Sequence, residues 1–163
     1  MTILNFGLSI AITGKGDLVR NLLVIVFIMF AIVSSMFAGD IRLESSNFST
    51  VAYIRDNGRI ENASFEILGF IKEDGRIEDD SFHTLGYIDE EGSIEDDSYN
   101  GLYILNDNGR LDNTDFRKVA EIQSDGTVEN SHFQIILYAD GTHGEMTRRI
   151  AVFLVFFSDL LEE

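Results

Sequence analysis

Clustered carboxylates are the side chains of this sequence with the most evident chemistry. Glu73 and Asp74 stand directly before Gly75, and Glu78, Asp79 and Asp80 follow it; similar groups surround Gly58, Gly92, Gly109 and Gly126. Calcium is the first candidate, but it needs about six to eight oxygens from one compact loop. Five residues before each glycine, where an EF-hand loop would supply an oxygen ligand, stand Tyr53, Phe70, Tyr87, Ile104 and Glu121. Solvated hairpin turns account for the acids more simply. His83, His132 and His143 fall at different phases of the pattern, and Ser81 beside His83 lacks a nucleophile elbow. The glycines are single rather than gathered into a phosphate loop. Equivalent, repeated surface acids also lack the unlike environments that acid–base catalysis requires. We therefore expect no catalytic residues, no metal and no cofactor.

Tyr53, Phe70 and Tyr87 are the candidate ligand contacts. Each alternates away from the isoleucine next to it and so lies on the opposite sheet face. Exposed, the three would form a stacking platform for sugars or a protein partner. Packing between neighbouring units is the competing role, and Ile104 and Glu121 interrupt the row in the last two copies.

The elements that position these residues follow from a strict period. Gly58, Gly75, Gly92, Gly109 and Gly126 stand 17 residues apart without insertion or deletion. Ile54, Ile71, Ile88, Leu105 and Ile122 lie four residues before them; Ile60, Ile77, Ile94, Leu111 and Val128 lie two after. Phe65, Phe82, Tyr99, Phe116 and Phe133 lie seven after. Such a period marks one supersecondary unit, repeated and stacked. Tips such as Asp56-Asn57-Gly58 are hairpin signals. A three-residue loop sets Ile54 against Ile60 on one sheet face, whereas a two-residue loop would oppose isoleucine to glutamate. In the longer loop the glycine takes the left-handed conformation that only glycine enters freely. Arg55, Arg59, Lys72 and Arg76 are placed at the solvent-side rim, where ion pairs contribute about 0–1 kcal/mol each. The aromatic seven after each glycine is expected to plug the space before the next hairpin. Gly69 and Gly86 would permit close approach between units, although Ala52, Tyr103 and Ala120 hold the matching places.

One hairpin is not stable alone in water, so the units must share a core. Leu43, Glu44 and Phe48 are in register as a second half-repeat, and Ile136, Leu137 and Tyr138 as a first half. Complementary half-repeats at the two ends favour an all-β ring of five 17-residue antiparallel hairpins closed by the termini. An open β-solenoid is the alternative.

The sequence has 28 Asp and Glu against 12 Lys and Arg, a formal charge of −16, which argues against nucleic-acid phosphates as partner. With no cysteine, disulfides and thiolate metal sites are excluded. Lys15 and Arg20 precede an apolar run from Leu22 to Val33 and then small residues. This is the pattern of a secretory leader, with cleavage after Ser35 or Ala38. An uncleaved anchor giving membrane attachment through residues 21–38 is the rival reading. The expected domains are a leader over residues 1–38 and one hairpin-repeat domain over 39–163. The latter ends in an apolar strand, Ile150 to Phe157, either fully buried or plugging the ring; a docked helix is the alternative, and an exposed assembly surface the functional one.

The stretch from Leu68 to Phe82 (Leu68-Gly69-Phe70-Ile71, then Gly75-Arg76-Ile77-Glu78) resembles the repeat of bacterial β-flower proteins, and Leu85 to Tyr99 resembles it again. The nearest likeness is to the five-fold β-flower group, with an N-terminal signal and a phenylalanine-rich C-terminus. It covers about residues 41 to 157, and weakens where Tyr103-Ile104 and Ala120-Glu121 replace glycine-aromatic. The resemblance implies a petal-like ring of hairpins in an exported bacterial protein and brings no established activity. The expected function is a non-enzymatic scaffold or binding module of the cell envelope, periplasm or exterior, with an unknown protein or glycan partner. A lectin-like glycan binder using the aromatic row is the alternative.

Overall fold

In the computed structural model, which describes residues 39–141 and 146–161, every glycine tip closes a three-residue loop. The Arg55 amide donates to the Arg59 carbonyl at 2.8 Å and the Gly58 amide to the Arg55 carbonyl at 2.9 Å. Ile54 stands opposite Ile60, and Ile71 opposite Ile77, as the apolar pairing requires. The five glycines have φ between 81° and 89°. They are needed for a second reason: a Cβ at Gly58 would collide with the carbonyl oxygen of Ile71, whose amide bonds to the Gly58 carbonyl at 2.8 Å. The leader expected over residues 1–38 and His143 both fall outside the described residues.

Among the described residues twelve strands form: β1 (Ile41–Ser45), β2 (Thr50–Ile54), β3 (Arg59–Asn62), β4 (Ile67–Ile71), β5 (Arg76–Asp79) and β6 (Thr84–Ile88), followed by β7 (Ser93–Asp96), β8 (Gly101–Leu105), β9 (Arg110–Asn113), β10 (Lys118–Ile122), β11 (Thr127–Asn130) and β12 (Ile135–Asp140). Each pairs antiparallel with its sequence neighbours, and β1 pairs with β12 to close the barrel. The two terminal half-repeats thus build a sixth hairpin, with Leu43 opposite Ala139. Closure leaves no sheet edge, which removes the open solenoid.

The inward positions form apolar layers. Ile54, Ile60, Ile77, Ile94, Leu111, Val128 and Leu43 are fully buried. The lumen is filled by α1 (Met146–Phe156), a helix and not the expected strand. In a closed barrel a strand inside the lumen would find no ladder partner, whereas a helix satisfies its backbone groups within itself. Ile150, Ala151, Val152, Phe153 and Leu154 are all buried, so the helix is apolar on every side, as a lumen requires. The plug role holds; its secondary structure is corrected.

Gly69 and Gly86 serve this plug. A Cβ at Gly69 would lie 2.6 Å from the Phe157 ring, and one at Gly86 2.7 Å from that of Phe156, in addition to close backbone contacts. Arg148 donates to the Ile88 carbonyl at 2.7 Å, and Arg149 to the carbonyls of Arg55 and Asp56 at 2.9 and 3.1 Å. These anchors set the start of α1 at the rim of glycine turns.

Candidate functional site: an aromatic rim and its outer wall

A second set of three-residue turns joins odd to even strands at the opposite rim. Their hydrogen bonding repeats that of the glycine turns: the Asn62 amide donates to the Glu66 carbonyl at 2.9 Å and the Phe65 amide to the Asn62 carbonyl at 3.0 Å. Asn62 Oδ1 accepts the amides of Ser64 and Glu66, which fixes the loop. Asp79, Asp96, Asn113 and Asn130 do the same in their turns. Yet the left-handed position is taken by Phe48, Phe65, Phe82, Tyr99, Phe116 and Phe133, with φ between 59° and 64°. A bulky side chain in that region is an uncommon arrangement that costs about 1–2 kcal/mol.

These aromatics do not plug the space between hairpins, as their apolar character had suggested. They are 61% to 73% exposed. The turn folds four of them back along the outer wall, where they stack on strand aromatics. Phe65 stacks on Tyr53 at 5.1 Å between ring centroids, Phe82 on Phe70 at 5.1 Å, Tyr99 on Tyr87 at 4.7 Å and Phe48 on Tyr138 at 5.0 Å. Tyr53, Phe70 and Tyr87 are therefore half-buried supports, and the left-handed residues present the open ring faces. The spacing of Asn62 to Phe65 copies that of Arg55 to Gly58, a signal that could have disclosed this second turn.

Charge is organised around the stacks. Tyr53 pairs in register with Glu61, Phe70 with Glu78 and Tyr87 with Glu95. Glu61 and Glu78 are only 4% exposed, not the solvated acids expected from the sequence. Arg55 donates to Glu61 from Nε at 2.8 Å while lying 4.8 Å from the Tyr53 ring centre, and Arg59 binds the other carboxylate oxygen at 2.6 Å. Lys72 and Arg76 hold Glu78 at 3.4 and 3.2 Å, with Lys72 over the Phe70 ring. On the hairpin of β6 and β7, hydrogen bonding to Tyr99 raises the Tyr87 phenol above its ordinary pKa.

The glycine rim is a different surface. An open cleft of about 770 Å³ there is lined by Asp56, Glu73, Asp74, Asp89, Glu90 and Glu91 together with Arg148 and Arg149. Its acids complement the positive N-terminal end of α1 and its arginine pair. His83 pairs with Asp79 of its own turn at 3.2 Å. Among the described residues no group of three His, Asp or Glu could hold a metal ion.

Comparison with known proteins adds one match. The family model described as 5-fold beta-flower protein fits residues 36–157. No curated protein and no solved structure matches the chain.

Proposed function

The chain belongs to the 5-fold beta-flower family, and on that premise we propose that it is an exported, non-enzymatic binding module that meets its partner through the aromatic rim. The observation that carries this reading is the set of six exposed aromatics in left-handed backbone. The opposite rim solves the same turn with glycine, at no steric cost. Stacking returns about 0.5–1.5 kcal/mol to four of the six rings. Phe116 has no stacked ring among the described residues, and Phe133 has only the Lys118 ammonium 3.9 Å from its centre. A sequence serving the fold alone would place glycine or asparagine there, and strained residues of this kind gather at functional sites. At the opposite, glycine rim Asp40 is held by Arg55 at 2.8 Å and the Asp56 amide at 3.1 Å.

The test is the double variant Phe116→Asn and Phe133→Asn, since asparagine tolerates positive φ. Melting should hold or rise while binding to immobilised peptides or glycans falls. Loss of the barrel would make the rings structural and overturn the reading. Glycan binding is the second reading: four successive hairpins carry stacked pairs, two strand spacings or about 10 Å apart, so an extended chain could lie along several open faces. Glycan-array binding that survives removal of the rim rings would sink it.

A further inference from the structure

Four hairpins carry the same three-part arrangement on the outer wall: a stacked aromatic pair, a carboxylate in register with it, and a place for a cation. Three fill that place themselves. Arg42 binds Glu44 at 3.4 Å beside Phe48 and Tyr138. Arg55 and Arg59 bind Glu61 beside Tyr53 and Phe65, and Lys72 and Arg76 bind Glu78 beside Phe70 and Phe82.

The hairpin of β6 and β7 keeps the rings and the acid but not the cation. Tyr87 and Tyr99 form the closest of the four stacks, and Glu95 stands opposite Tyr87. Where Lys72 and Arg76 stand in the preceding unit, this one has Asp89 and Ser93, and they are occupied with each other: the Ser93 amide donates to Asp89 Oδ1 at 2.8 Å. Arg76 faces Tyr87 across β5 and β6 but binds Glu78. Glu95 is half-buried rather than buried, and among the described residues no side chain pairs with it. Glu90, Glu91, Asp96 and Asp97 add negative charge on the same hairpin.

We propose that Tyr87, Tyr99 and Glu95 form a slot for the guanidinium of an arginine carried by a partner polypeptide. The filled slots define the chemistry. A planar, weakly hydrated guanidinium can lie against a ring while donating to a carboxylate, as Arg55 does with Tyr53 and Glu61. One carboxylate walled by two phenols is a poor donor set for a metal ion. This inference rests on the reading of the aromatic rim as a binding surface, since Tyr99 belongs to it.

The experiment titrates the isotope-labelled full chain with a blocked Gly-Gly-Arg-Gly-Gly peptide, using the citrulline peptide as control. Saturable NMR shifts are expected at Tyr87, Tyr99 and Glu95 with arginine and not with citrulline. Glu95→Gln should weaken binding roughly tenfold, the worth of one charge-assisted hydrogen bond. Asp89→Lys with Ser93→Arg should fill the slot in cis and block the peptide. Shifts spread evenly over all the acidic turns, or unchanged binding by Glu95→Gln, would overturn the proposal. If the filled variant does not fold, Glu95→Gln decides alone. Failure here is separable from failure of the rim reading, because Phe116 and Phe133 lie on other hairpins.

Discussion

Gly69 leaves the space that the Phe157 ring fills: a Cβ at Gly69 would lie 2.6 Å from Cε1 of that ring. A strand residue near the start of one hairpin and an aromatic just past the end of the plug helix are thus fitted to each other across 88 residues of chain.

Gly69→Ala should therefore destabilise the barrel by about 1–3 kcal/mol, the usual penalty of overpacking. The Glu78 carbonyl also crowds that point. Adding Phe157→Ala should recover only the part due to the ring. Denaturant melts of the two single variants and the double variant give the coupling; strictly additive effects would mean that the two residues do not meet.

Arg148 and Arg149 tie the start of α1 to carbonyls of Ile88, Arg55 and Asp56. Replacing both with methionine should cost about 1–3 kcal/mol, typical of a few partly exposed hydrogen bonds. Amide exchange in α1 should accelerate more than exchange in the strands. Equal acceleration everywhere would show that the arginines stabilise the barrel as a whole rather than seat the helix.

Glu61 and Glu95 share a register position but not a fate. Glu61→Gln disrupts a nearly buried carboxylate held by two arginines and should cost about 1–3 kcal/mol, less than a fully buried pair because the arginines are partly exposed. Glu95→Gln, with no internal cation to strand, should stay within about 0.5 kcal/mol of the parent. Thermal melts of both variants check the contrast.

Asp79 and Asp96 are held below the usual carboxylate pKa. The His83 amide is the leading cause for Asp79, and the Asn100 side chain for Asp96. A depressed folded pKa means that their contribution is present above the unfolded value, about 3.9. It is lost as pH falls through the lower folded value. Melting temperature should be flat from neutrality to about pH 5 and decline below pH 4. Because Asn62, Asn113 and Asn130 accept the same turn amides without a charge, the double variant Asp79→Asn and Asp96→Asn should keep the fold and flatten that decline. An unchanged acid limb would remove these two groups as its source.

Much of the hairpin was legible in order of residues. The 17-residue spacing, the Asx-Gly tips and the opposition of Ile54 to Ile60 are local consequences of turn geometry and of the two-residue side-chain period, so sequence alone carries them. Ring closure was also legible, because Leu43 and Leu137 lie in complementary half-registers. The site was only half legible. Tyr53, Phe70 and Tyr87 could be assigned to the outer face, but their exposure depended on whether the next turn carried its aromatic inward or back over them.

That is a matter of backbone hand at Phe65, Phe82 and Tyr99, and apolar composition pointed to the wrong side. The state of the C-terminal run was likewise beyond the reach of composition, since β-branched and aromatic residues suit a strand until closure leaves no edge for it to pair with. The sequence by itself determined the repeating hairpin, its turns and its inward face. Only the tertiary structure decided that the lumen holds a helix, that six rings stand outside under backbone strain, and that Glu95 stands without the cation that Glu44, Glu61 and Glu78 have. Those outcomes depend on which side chains meet after the barrel closes, and no local pattern encodes that.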